Sequence, residues 1–333
     1  AVRPEGLRGA GCWPDGRMRC HQRIAMELLR WAATCGALCL NYVRAESLRV
    51  EGGAVTGLEV LDMRTGRPLT LRAERVLNTA GPGCRALASE WHKDVPDLFR
   101  PTVAFNLMLE ADAPSDHAVA VAPPGPGART FFVTPWHGRT FAGTYHTDDS
   151  ATVERGAPSD ELVARMLSDL RKAIPGWDVR PEHVVRVHAG KLPGELSGGE
   201  DMAHRAVRVD HGAQGGPRGL TTVSGVKYTT AGLEARRGLE VALGSSLPGM
   251  REDSARPAPA AEVSACETPS GFDVDLAVRL AGEEQAASLE DVVLRRADWG
   301  EDPASAASAM AQLRGRLSLP DRVEGSATME ASA

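Results

Sequence analysis

Lysine is nearly missing from this chain. Its 333 residues include only Lys93, Lys172, Lys191 and Lys227, and Arg carries the rest of the positive charge. The net charge is −6, which excludes the basic balance that nucleic-acid binding needs. Aromatic residues make up only 5%. No apolar run approaches the ~18–20 residues of a membrane-crossing helix. No Cys-x-x-Cys pair occurs among Cys12, Cys20, Cys35, Cys39, Cys84 and Cys266. Cys35 and Cys39 lie one helical turn apart, but no His or Cys set completes a metal site, so the cysteines read as reduced cytosolic thiols.

What remains is an ordinary globular composition, 42% hydrophobic and 25% charged, on a chain long enough for two domains. Apolar spacing predicts a helix over 14–36, capped by Asp15 and ended by Gly36. LCLNYV (38–43) reads as a strand. A meander follows, turning at Gly52-Gly53 and again at Arg64-Thr65-Gly66, then the strands PLTLRA and RVLNTAG. Further strands are expected in VAFNLMLE, HAVAVA, TFFVTPW, RTFAGTYH, HVVRVHAG, RAVRVD and GLTTVSG. A helix starts behind Ser159 and stops at Pro175-Gly176. Residues 246–270 have the Pro/Ala/Ser/Glu composition of a linker, and SLEDVVLRRADWG is the clearest piece of a terminal helical module.

Several motifs carry possible chemistry. NTAGPG ends a strand and, through Ala86, fits G-x-G-x-x-A with Gly81 and Gly83. Pro82 removes an amide that a phosphate cradle would use, so the stretch also reads as a plain strand-to-helix turn. His146 and His188 sit in strand motifs, as ligand-facing groups or as ordinary strand residues. RAVRVDHG offers Arg205 as an anion contact or as part of a surface charge row. In VSGVKYTTAG, Gly225 permits close backbone approach, and Lys227 stands at the mouth of the following helix. Free N–H groups, the helix dipole and the ammonium together favour negative charge there, although a capped helix with a solvated Lys fits the same residues.

Taken in order, WPDGRMRCHQRIAMELLRWAATCGA, VLNTAGPG, FFVTPWHGRTFAGTYHTDD, AIPGWDVRPEHVVRVHAGKLPG, HRAVRVDHG, GLTTVSGVKYTTA and LEDVVLRRADWG resemble the FAD-dependent glycerol-3-phosphate dehydrogenases of the D-amino-acid-oxidase-like superfamily. The resemblance covers roughly residues 10–315. It implies an α/β fold with α+β character: an FAD-binding domain, an antiparallel-sheet substrate domain and a C-terminal helical domain. The boundaries it suggests are 1–100 for the FAD domain with its meander, 101–224 for the substrate domain, 225–245 for a helix returning to the FAD domain, 246–270 for the linker and 271–333 for the helical domain. The implied reaction oxidises sn-glycerol 3-phosphate to dihydroxyacetone phosphate, with hydride passing from C2 to flavin N5 and electrons passing to a quinone or oxygen. Thr79, Ala80 and Gly81 are then expected along the FAD, and Gly225, Val226, Lys227, Tyr228 and Thr229 at the flavin ring. Arg205 falls on a substrate-phosphate arginine, where a bidentate guanidinium suits the oxyanion.

The chain departs from the family at several points. Leu192 stands where the family carries an Arg, Val226 replaces the second Gly of Gly-Gly-Lys, and Gly143-Thr144-Tyr145-His146 replaces Gly-Thr-Thr-Asp. His146 and His188 therefore become candidates for the missing phosphate contact or for the proton acceptor, with Lys227 the third candidate catalytic group. A related flavoprotein acting on another hydroxy acid or amine, or a chain with no catalysis, is the alternative. GLRGAG does not match the strand and Gly-x-Gly-x-x-Gly turn that open the family, so the expectation is an N-terminally truncated piece that holds FAD weakly or not at all. The expected location is the cytoplasm or the inner face of the plasma membrane.

Overall fold

The computed structural model describes residues 9–92, 98–196, 202–225, 227–244 and 257–323. Helix α1 runs His21–Thr34, seven residues shorter at its start than the apolar spacing predicts. Asp15 does not cap it; its carboxylate accepts the Gly16 N–H at 2.7 Å. The start is fixed from elsewhere. Cys20 takes a left-handed conformation with φ 44°, and its buried thiol donates to the Cys266 carbonyl at 3.4 Å. Arg19 forms a bidentate pair with Glu267. A contact made across more than two hundred residues overrides the local pattern.

The strand expected over 38–43 is also displaced. Strand β1 begins only at Val43 and runs to Glu51, and Leu38 and Leu40 are exposed in irregular backbone. Strands β2 (Ala54–Asp62) and β3 (Arg67–Arg72) complete an antiparallel meander in the order β1-β2-β3. Its first turn is Gly52-Gly53, with φ 58° and 74°, the two successive positive angles that match hairpin twist and that glycine adopts without strain.

Strand β4 (Val76–Asn78) leads through a 3-10 turn at Gly81–Gly83 into α2 (Cys84–Trp91). Strands β5 (Arg100–Leu109), β6 (Val119–Val121), β7 (Phe131–Trp136) and β8 (Arg139–Thr147) follow, then α3 (Ser150–Arg155), α4 (Asp160–Ala173) and β9 (Val184–Gly194). Five of these strands form one antiparallel sheet in the order β6-β7-β8-β5-β9. Ser159 caps α4 as its spacing predicts, accepting the Leu162 N–H at 3.4 Å. The apolar face of α4, with Met166, Leu167 and Leu170, packs against Phe105, Leu107 and Leu109 of β5. The opposite face of the sheet is left for other contacts.

Strands β10 (Val207–Asp210) and β11 (Leu220–Ser224) bring the chain back to β4, in the order β10-β11-β4. Helix α5 (Ala231–Leu243) covers this sheet where Gly238 lies against Val223.

The last helices are α6 (Val263–Cys266), α7 (Val274–Glu283), α8 (Leu289–Arg295) and α9 (Pro303–Arg314). Ser288 and Asp302 cap α8 and α9. The described part of the expected linker is not a bare connection. Ala260, Ala261 and Cys266 are buried in one core with Leu280, Val292, Trp299 and Leu313. Its Pro/Ala composition resembles a spacer, but small side chains also pack closely.

Candidate active site

The parallel pair β4 and β11 sets up the first part of the site. Their register places Leu220 beside Val76 and Thr222 beside Asn78, so both strands release the chain at the same edge. Thr79, Ala80 and Gly81 leave from β4, and Gly225 and Lys227 from β11. Ligands in α/β sheets bind outside this carboxyl edge. Asn78 ties the edge together: its amide donates to the Cys84 carbonyl at 2.7 Å and to Thr222 Oγ1 at 3.3 Å.

Gly81 has φ +55°, and a Cβ there would meet no atom within 4 Å. Gly225 is equally open. Neither glycine is required by packing among the described residues, and both leave backbone accessible to a ligand. Beyond Gly225, Lys227 and Thr229 are exposed, and the Lys227 carbonyl accepts the Thr230 N–H at 3.2 Å as a 3-10 turn leads into α5. The Tyr228 hydroxyl donates to the His21 carbonyl at 3.1 Å, and the two rings meet edge to face with centroids 6.2 Å apart. Val226 lies outside the described residues.

The second part is the free face of the five-stranded sheet. His146 is paired with Ala104, and His188 with Asn106. Ala104 and Asn106 are two residues apart on β5, so both histidines project from one face, on the strands flanking β5. They are staggered by about 7 Å along the strands and separated by about 10 Å across them. Leu192, paired with Thr102, belongs to this face as well. Lys191 falls on the other face and donates to the Glu154 carbonyl at 3.1 Å, as strand alternation predicts.

A cavity of about 230 Å³ opens against this face. His188 and Arg186 enter it from β9, Trp136 from β7, His21 from the start of α1, and Asp298 and Glu301 from the α8–α9 connection. Arg186 donates to the carbonyls of Gly300 and Glu301, which fixes that connection onto the sheet. Trp136 Nε1–H donates to Glu301 Oε1. Burial pushes the His188 imidazole down to about 4, helped by the positive charge of Arg186 and by His21. Its Nε2 is buried without a hydrogen-bond partner among the described residues. At neutral pH His188 is therefore neutral, able to form a hydrogen bond but bringing no charge. Burial pushes Asp298 up to about 6 and Glu301 up to about 7, with Asp298 adding to the push on Glu301.

His21 joins the two parts, since it touches Tyr228 at the carboxyl edge and lines the cavity with His188. Arg205 stands apart, exposed ahead of β10, while its neighbour Arg208 is engaged with Glu234 of α5. The reading of sequence motifs did not find His21, Arg186, Trp136, Asp298 or Glu301. They come from segments far apart in the chain, and the Gly-Glu-Asp run after Trp299 is the only local hint of clustered acids.

A family model described as FAD dependent oxidoreductase matches residues 1–242. An aerobic glycerol-3-phosphate dehydrogenase of Staphylococcus epidermidis is 28% identical over 232 residues, which is 68% of this chain and 41% of the relative. An alpha-glycerophosphate oxidase of Streptococcus pyogenes is 27% identical over 195 residues, 58% of this chain and 32% of the relative. The chain thus spans well under half the length of these curated relatives. Among solved structures, the glycerol-3-phosphate dehydrogenase of Bacillus halodurans, complexed with FAD, superposes with a TM-score of 0.65 at 18% identity, covering 92% of this chain and 74% of that one.

Proposed function

The chain belongs to the FAD dependent oxidoreductase family, and on that premise we propose that its residues serve the oxidation of sn-glycerol 3-phosphate to dihydroxyacetone phosphate, with electrons passing to a quinone or oxygen. The observation that carries this reading is the shared carboxyl edge of β4 and β11. It places two accessible glycines beside a helix mouth that bears Lys227. Thr79, Ala80 and Gly81 would hold FAD on one side of the edge, and Gly225, Lys227, Tyr228 and Thr229 on the other. FAD, when bound, supplies the two-electron acceptor. The amides ahead of α5 and the Lys227 ammonium favour negative charge developing beside them. Arg205 is the proposed contact for the substrate phosphate. No helix among the described residues is long and apolar enough to cross a membrane.

One observation favours a second reading, oxidation of another hydroxy acid or an amine. Leu192 brings an apolar side chain to the cavity face of β9 where the resemblance places an arginine. A panel of substrates separates the two. FAD-loaded protein is mixed anaerobically with sn-glycerol 3-phosphate, glycerol, 2-hydroxy acids and amines, and bleaching of the flavin is followed. Bleaching by sn-glycerol 3-phosphate but not by glycerol is expected, because a site built for phosphate rejects the compound that lacks it. Bleaching only by a hydroxy acid or amine replaces the first reading with the second. Flavin that is bleached by none of these compounds removes both.

A further inference from the structure

The connection between α8 and α9 places two carboxyl groups in the cavity that also holds His188, and nothing in the reading above uses them. We propose that Glu301 is the proton acceptor of this site, positioned by Trp136 and by the Asp298 carbonyl, which accepts the Glu301 N–H at 3.2 Å, so that the C-terminal helical segment completes the catalytic cavity. This rests on the assignment of the cavity to alcohol oxidation.

The geometry favours Glu301 over the histidine. Glu301 lines the cavity, and the Trp136 indole holds one of its carboxylate oxygens, which leaves the other available. Arg186 fixes the backbone on either side of it, with donors to the Gly300 and Glu301 carbonyls. The charged and titratable groups around it are few. Asp298 and Asp302 oppose its ionisation, while Arg139 and Arg17 favour it. Arg139 is already engaged with Asp302 at 2.8 Å, and Arg17 lies over the Trp136 ring at 4.2 Å. Arg186 gives its Nη1 donors to the Gly300 and Glu301 carbonyls while its charge also attracts the Glu301 carboxylate, and His21 and His188 complete the wall.

A general base works best when its pKa lies near the working pH. Glu301, near 7, meets that condition, whereas His188, near 4, is too weak a base to hold a proton from an alcohol. In the proposed step the substrate O–H bond breaks and its proton bonds to a Glu301 oxygen. FAD, when bound, would supply the acceptor for the hydride of the C–H bond at the same carbon, so that the carbon would be oxidised by two electrons to a ketone and the acceptor reduced by two.

Two readouts test this on the full chain. The first needs no turnover. The indole ¹H–¹⁵N resonance of Trp136, identified by its loss in Trp136→Phe, is followed against pH. It should titrate with a midpoint near 7, and Glu301→Gln should abolish the transition. Asp298→Asn should move it to lower pH by removing a like charge. A Trp136 resonance that does not titrate, or that titrates unchanged in Glu301→Gln, overturns the assignment. The second readout is the rate of flavin reduction against pH in the FAD-loaded protein. The rate should rise with pH through about 7, and Glu301→Gln should lower it by about 10²-fold or more and remove the rise. A Glu301→Gln variant that keeps both the rate and the rise overturns the proposal. If sn-glycerol 3-phosphate fails but another alcohol bleaches the flavin, the substrate reading falls alone, and the same variants decide the role of Glu301 with that alcohol.

Discussion

Around Trp299, fourteen buried residues form one continuous core, and the Trp299 indole donates to the Ala265 carbonyl at 2.8 Å within it. Beneath the Gly81 and Lys227 loops the described core divides into two groups, five residues around Phe99 and three around Leu220. The C-terminal helices also take in the start of α1, where the Arg23 guanidinium is buried against Glu284. Among the described residues, the β10-β11-β4 sheet is tied to α5 by the Arg208–Glu234 pair, which is less buried than Arg23–Glu284, and it carries its open loops on short strands. The two parts of the candidate site therefore rest on unequal supports. The acidic wall of the cavity hangs from the solid unit, and the helix mouth proposed for the flavin hangs from the thin one. This contrast suits a site in which a proton acceptor must be held firmly while a large cofactor enters past exposed backbone.

The sharpest way to break the contrast is to strike the anchor. Glu284→Ala leaves the Arg23 charge buried without its main partner, and an uncompensated buried charge costs about 3–5 kcal/mol. Chemical unfolding should show a loss of that order. Replacing both residues with Met should cost markedly less than Glu284→Ala alone, since an apolar pair removes the desolvation penalty along with the attraction. Similar losses in the single and double variants would mean that the pair does not hold α1 to the helices.

On the thin side, the point of closest support is Gly238, where a Cβ would stand 2.7 Å from Val223 Cγ2. Valine is stiff at χ1 and cannot swing aside, so Gly238→Ala must push α5 off β11. The expected cost is about 1–3 kcal/mol, the usual range for overpacking and smaller than that of the anchor. Urea unfolding measures it, and a fall in FAD affinity should accompany it if the Lys227 loop follows α5. An unchanged midpoint would show that this sheet yields more easily than the contact suggests.

Much of this architecture is legible from local pattern. The Gly52-Gly53 turn, the Ser159 cap and the strands from Val103 to His146 follow from alternation, turn chemistry and a capping residue, all of which act within a few positions. The misplacements share one cause. The start of α1 is fixed by Cys20, Arg19 and Arg23 against residues about 250 positions later, and Leu38 to Leu40 have strand-like residues but no strand beside them among the described residues. Gly81, Gly225 and Lys227 could be picked out because glycine at a turn and a cation at a helix mouth each carry a local reason. Glu301 could not, because an acidic residue after a Trp-Gly is unremarkable until the fold brings Trp136 and His188 to it.

The smallest expected effect separates the two regions by pH. Glu301 and Asp298 have folded-state pKa values raised by burial, to about 7 and about 6, above their unfolded values. Between roughly pH 4 and pH 7 the folded state therefore binds protons that the unfolded chain has lost, so these groups make stability fall as pH rises through that window. His211, buried beside the β10-β11-β4 sheet, has the opposite sign. Burial pushes it down to about 4, beside His92 with 3.0 Å between the two Nδ1 atoms. The unfolded chain protonates it first, so its contribution to stability is lost as pH falls from about 6.5 to about 4. In the wild type the two trends offset each other. Glu301→Gln should expose the histidine trend: at pH 8 the variant should melt above the wild type, and on acidification the gap should close. Solvent screening at the partly buried Glu301 limits the gain to about 1 kcal/mol. A gap that stays constant from pH 8 to pH 5 would mean that the acidic wall of the cavity ionises as freely as an exposed carboxylate, and the contrast between the two regions would then lose its electrostatic side.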